Sequence, residues 1–126
     1  MTYTYDHLHL RSRDVVAAAR FYVEALGARE TGRVGDAAAP SRIMIELGGV
    51  KVFIEQAPQD MPAGATPPHV GLEHLGLTVP DIKAAVTDLA ARGYPLVSGI
   101  TELRADLKIA FFDGPDGVRI ELLQRS

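Results

Sequence analysis

Polar and apolar positions change their spacing several times along the chain, and each change marks an element. Residues 6–10 (DHLHL) alternate polar and apolar, the period of two expected of a half-buried strand. From Val15 the period lengthens, so that Val15, Ala19, Tyr22 and Leu26 fall on one stripe of a helix. Asp14 is placed to cap that helix through its carboxylate, and Gly27 is placed to close it. Strands follow at residues 29–34, 41–47 and 50–56, the last two joined across Gly48-Gly49, a favourable hairpin turn. Residues 57–68 then carry four prolines and little periodicity, the signature of a connecting segment.

Beyond that segment the same order returns. Residues 73–77 (EHLGL) repeat the opening strand, Asp81 repeats the cap, and Ile82, Val86 and Leu89 repeat the apolar stripe up to Gly93. A short strand is expected around Leu96 and Val97. Two longer ones, at residues 108–112 and 118–123, flank the turn DGPDG. A shift of 67 residues lays His7 on His74 and Asp14 on Asp81, so the chain is two copies of one βαβββ unit. The expected organisation is one α+β domain over residues 1–126, with modules 1–57 and 69–126 joined by a proline-rich linker, 58–68.

Composition narrows the function classes. The 126 residues are 47% apolar and 23% charged, within the globular range, and a net charge of -3 offers no basic field for nucleic acid or anionic lipid. No apolar stretch approaches the ~20 residues that span a bilayer, and residues 1–11 are polar and strand-like, so a cytoplasmic protein is expected. With no cysteine, any metal must be held by nitrogen and oxygen.

Such ligands recur at matching places. Glu55 follows His7 by 48 residues and Glu121 follows His74 by 47, each glutamate on the last strand of its module. If the modules pack with approximate twofold symmetry, His7, Glu55, His74 and Glu121 form one N2O2 set. Imidazole and carboxylate suit a single divalent ion such as Ni, Co, Zn, Mn or Fe(II). His9 shares a strand face with His7 and is either a pocket residue or a support for its neighbours.

The motifs DHLHLRSRD around His7, FYVEALG at residues 21–27, VFIEQ around Glu55, EHLGLTVPD around His74 and DGPDGVRIELL around Glu121 resemble the vicinal oxygen chelate superfamily, the glyoxalase/bleomycin-resistance/dioxygenase group. The resemblance covers nearly the whole chain. It implies a curved, partly open mixed sheet around the metal, with helices outside. The ligand order His, Glu, His, Glu is similar to glyoxalase I, which implies a lyase or isomerase acting through a metal-chelated enediolate on a small hydroxy- or keto-carbonyl substrate. Glu121 or Glu55 would take the substrate proton. Arg11 stands at the spacing of the arginine with which glyoxalase I binds the glutathione carboxylate, whereas Gln59 replaces the asparagine that partners it. Other activities within the resemblance are acyl-CoA or sugar-acid epimerisation, ring-cleaving oxygenation with three protein ligands, and metal-free drug binding. A homodimer is expected, with the site formed inside one chain or across two.

Overall fold

The computed structural model describes residues 1–126. In chain order the elements are β1 (Leu8–Ser12), α1 (Val15–Leu26), β2 (Arg29–Gly35), β3 (Pro40–Leu47), β4 (Val50–Gln56), β5 (Leu75–Thr78), α2 (Ile82–Ala91), β6 (Thr101–Arg104), β7 (Leu107–Asp113), a 3-10 turn (Pro115–Gly117) and β8 (Arg119–Arg125). The strands form two four-stranded mixed sheets in the orders β1-β4-β3-β2 and β5-β8-β7-β6, neither closed on itself. The chain divides into two compact units, Met1–Pro62 and Ala63–Ser126, so the βαβββ repeat read from the sequence is the repeat of the fold. No helix is long and apolar enough to cross a membrane.

In the first unit β1 and β4 pair in parallel, antiparallel β3 and β2 extend the sheet from β4, and α1 packs over the sheet, chiefly against β3. Alternation on the strands decides which face the helix covers. Ile43, Ile45 and Leu47 of β3 and Val52 and Ile54 of β4 are buried, as are Val15, Ala18, Ala19, Phe21 and Tyr22 of α1. Fully burying a side chain such as Ile or Val contributes about 1.5–3 kcal/mol, so this one face carries most of the unit's stability. The residues between them, Arg42, Met44, Phe53 and Glu55, stand half-buried on the opposite face. The second unit repeats the scheme with Ile82 and Leu89 of α2 against Ala110 and Phe112 of β7 and Ile120 and Leu122 of β8.

Both helices begin as the spacing requires: Asp14 accepts from the Ala17 amide at 3.0 Å and Asp81 from the Ala84 amide at 3.1 Å. A second device, not foreseen from the sequence, caps each helix from its last strand. Gln56 Oε1 accepts from the Val15 amide at 3.0 Å, and Gln124 Oε1 accepts from the Ile82 amide at 2.8 Å. Gly27 closes α1 at φ 74°, a conformation a side chain resists. The expected strand at Leu96 and Val97 is a single bridge, Leu96 with Phe112; the strand pairing with β7 lies further on, at β6. All four β6 residues are exposed, so no apolar alternation announces it.

Candidate functional site

The second unit builds a candidate site from β5, β8 and β7. His74 immediately precedes β5, while Glu121 sits on β8 opposite Gly76 on one side and Phe111 on the other. His74 Nε2 lies 3.2 Å from Glu121 Oε1, and the ring meets Phe111 edge-on with centroids 5.4 Å apart. The other ring nitrogen, Nδ1, is 2.8 Å from Glu73 Oε1. A neutral imidazole has a single N–H, so with carboxylate oxygens at both nitrogens one of the contacts requires an added proton or a cation. Glu121 is the most enclosed carboxylate of the set, its side chain 17% exposed.

The first unit arranges its residues differently. His7 Nδ1 lies 2.6 Å from Asp6 Oδ2, matching the pairing of His74 with Glu73, but its ring stacks on Phe53 with centroids 4.1 Å apart and planes 17° from parallel. Glu55 meets two guanidinium groups instead, Arg11 at 2.6 Å and Arg42 at 2.8 Å, with His9 Nε2 at 3.5 Å. Arg42 also lies over the Phe53 ring, 5.6 Å from its centroid. The Arg42 hydrogen bond is the chief cause holding the Glu55 carboxyl below its ordinary value, with Arg11 adding to it. The histidine hydrogen bonds lower Asp6 and Glu73 in the same way.

The strand register accounts for this difference. His9 pairs with Phe53 and Phe53 with Met44, whereas Gly76 pairs with Glu121 and Glu121 with Phe111. His9 and Gly76 are equivalent in the repeat, as are Gln56 and Gln124, the two helix-capping glutamines. Counting back three residues from each glutamine gives Phe53 in one unit and Glu121 in the other. The equivalence of Glu55 with Glu121 drawn from spacing is therefore not kept: Glu55 corresponds to Leu123, one pleat further along.

Within either unit, no group of three or more His, Asp or Glu side chains is placed to hold a metal ion. His74 and Glu121 are brought together, His9 and Arg11 are brought to Glu55, and the contacts of His7 are with Asp6, Phe53 and His9. Sequence reasoning passed over Asp6, Glu73, Phe53 and Arg42. An acidic residue directly before each repeated histidine was the available signal for the first two. Phe111 faces His74 and Phe112 is fully buried, as their alternation on one strand requires.

The donor chemistry of His74 and Glu121 fits a divalent ion. Two ligands about 2.0–2.2 Å from one ion, at angles of about 90–110°, stand about 2.8–3.6 Å apart. The Nε2 to Oε1 separation of 3.2 Å falls in that range. A carboxylate on Nδ1 is the usual partner of a metal-ligating imidazole, because it fixes the ring and leaves Nε2 free to donate its lone pair.

Comparison with known proteins agrees with the fold. Residues 4–122 match the profile of the Glyoxalase/Bleomycin resistance protein/Dioxygenase superfamily. The uncharacterized protein YaeR of Escherichia coli (strain K12) is 28% identical over 129 residues, covering 94% of each chain. Among solved structures, a glyoxalase family protein from Enterococcus faecalis superposes with a TM-score of 0.76 at 25% identity, over 95% of this chain and 96% of that one. TnmS3, an antibiotic binding protein from Streptomyces sp. CB03234, superposes with a TM-score of 0.70 at 23% identity, over 100% of this chain and 99% of that one. With its two βαβββ units and a profile match across nearly its full length, this chain belongs to the Glyoxalase/Bleomycin resistance protein/Dioxygenase superfamily.

Proposed function

We propose that this chain is a divalent-metal-dependent lyase or isomerase of glyoxalase-I-like chemistry, acting on a small substrate that bears a hydroxy- or keto-carbonyl group. The observation that carries the reading is the His74–Glu121 pair, a nitrogen and an oxygen donor 3.2 Å apart with Glu73 orienting the imidazole from behind. His74 and Glu121 are the proposed ligands; Ni, Co, Zn, Mn and Fe(II) suit such donors. His74 and Glu121 would hold the ion, which would supply Lewis acidity to a substrate oxygen.

The protein's own part is proton transfer. Glu121 takes the proton alpha to the substrate carbonyl on a carboxylate oxygen and returns it to the adjacent carbon. Glu55 is less suited, because a carboxylate held by two guanidinium groups is a weak base. Arg11 and His9, on the same face of their strand, are the proposed substrate contacts.

The test begins with metal content, measured by mass spectrometry after chelation and reloading with each of the five ions. The expected result is about one ion per chain in the wild type, lost in His74→Ala. Glu121→Gln is expected to retain metal and lose turnover on alpha-hydroxy carbonyl substrates. Absence of bound metal under every loading overturns the reading. It would bring forward metal-free small-molecule binding, which the Phe53 ring stacked on His7 favours as a flat apolar contact surface.

A further inference from the structure

On the free face of the first unit, Arg11 of β1, Glu55 of β4 and Arg42 of β3 are cross-strand neighbours in a single row. The two guanidinium groups meet at one carboxylate, Arg11 on Oε2 at 2.6 Å and Arg42 on Oε1 at 2.8 Å, with His9 Nε2 3.5 Å from Oε1. We propose that Arg11 and Arg42, held side by side by Glu55, form an anion site within the first unit that binds an oxyanion substituent, carboxylate or phosphate, of a small organic substrate. The inference rests on the reading of Arg11 and His9 as substrate contacts and deepens it, since it gives the substrate a negative charge and makes Arg42 a partner in holding it.

The repeat supplies an internal comparison. The equivalent row of the second unit is Thr78, Leu123 and Ile109, which carries no charge and pairs in the same order. A charged row at this place is therefore not a requirement of the fold. Stability does not account for it either, because ion pairs on a sheet face that solvent reaches contribute little. What the row adds is charge: two cations against one carboxylate leave a positive excess in a chain whose net charge is -3.

That excess is presented in a form that fits an oxyanion. Arg11 gives Nη1 to Glu55 and Arg42 gives Nη2, while the planar fork of each carries further N–H donors. The two arginine side chains stand 45% and 37% exposed, so a ligand oxygen reaches those donors without displacing Glu55. Guanidinium forks match the paired oxygens of a carboxylate or a phosphate, and groups already held in place lose less rotamer freedom on binding. The Phe53 ring, 5.6 Å from the Arg42 guanidinium carbon, restrains that group as well. Phe53 and Met44 form the next row along with His9, half-buried, and offer apolar surface to the carbon skeleton that bears the anion.

Two-dimensional NMR of the chelated, full-length protein, titrated with the keto acid pyruvate, its uncharged methyl ester and inorganic phosphate, tests this apart from any metal. At least one of the two anions is expected to bind with a Kd of about 1 mM, moving the signals of Arg11, Arg42 and His9, and the ester at least about tenfold more weakly. The anion that binds more tightly identifies the substituent. Arg11→Thr and Arg42→Ile install the residues of the equivalent row and should each weaken binding by about tenfold or more; Arg42→Lys, which keeps the charge and loses the fork, should recover only part of it. Undiminished binding in folded Arg11→Thr and Arg42→Ile variants overturns the inference, as does an ester that binds as well as the acid. A wild type that binds neither anion overturns it too, and anion binding gained in Glu55→Ala would then show the arginines to be filled by Glu55 itself. None of these failures touches the metal reading, and loss of the metal reading leaves the anion titration standing.

Discussion

Gln56 offers a sharp test of how β4 is locked to α1. Its amide makes two hydrogen bonds: Oε1 accepts from the Val15 amide at 3.0 Å, and Nε2 donates to the Arg13 carbonyl at 2.7 Å. Val15 is 2% exposed, so replacing Gln56 by Ala leaves a helix amide that water reaches poorly. Two net hydrogen bonds amount to about 1–3 kcal/mol. Because Gln56 itself stands exposed, the lower part of that range applies, about 1–2 kcal/mol. With a urea m-value of about 1.5 kcal/mol/M, the unfolding midpoint of Gln56→Ala should fall by about 0.7–1.3 M with m unchanged. Gln56→Glu separates the two bonds. It still accepts from Val15 beside a favourable helix N-terminus but no longer donates to Arg13, so its loss should be smaller than that of Gln56→Ala. Midpoints for Gln56→Ala within experimental error of the wild type would refute the argument that this side chain fixes the strand to the helix. Equal damage from Ala and Glu would refute the assignment of the main effect to Val15.

Two further outcomes are expected. In Arg42→Ala the Glu55 carboxyl should titrate at higher pH than in the wild type, read by NMR, because the chief cause holding it down is gone. The sign for stability follows: with its folded value lowered, Glu55 stabilises the fold above its unfolded value and loses that contribution as pH falls through the folded value, so Arg42→Ala should flatten the acid limb of the stability profile. Gly27→Ala should cost about 1 kcal/mol in urea unfolding, since at φ 74° the new methyl meets nothing within 4 Å and the strain is that of the backbone alone.

Those elements whose side chains face a core were legible in the sequence. Val15, Ala19 and Tyr22 recur at helical spacing because α1 buries one stripe, and the paired Asp14 and Asp81 announce their helices because a free amide turn selects a short acceptor. β6 was not legible, because a strand whose residues all face solvent leaves no alternation to read. The misplacement of Glu55 has a different physical origin. Phe53 and Glu55 share one face of β4 two residues apart, so alternation does not tell them apart, and their intervals of 46 and 48 from His7 stand equally far from the 47 that separates His74 and Glu121. Aligning the units on Gln56 and Gln124 rather than on the two glutamates would have exposed the offset, but the capping role that makes those glutamines equivalent is visible only in three dimensions. The pair His7 and His74 was found because both lie seven residues before a helix cap, a distance fixed by a short strand and a tight connection.

The parity of the strands has an evolutionary consequence. On β4, Val52 and Ile54 pack under α1 while Lys51, Phe53 and Glu55 alternate with them on the other face; on β8, Ile120 and Leu122 alternate with Arg119, Glu121 and Leu123 in the same manner. Mutational drift on the free face leaves the packed rows untouched, so a duplicated unit can trade a carboxylate for a phenyl ring, or a leucine for an arginine-bound glutamate, without renegotiating its interior. Once doubled, such a scaffold keeps one inheritance for folding and another for chemistry on the same few strands, and the two copies are free to diverge in the second while remaining alike in the first.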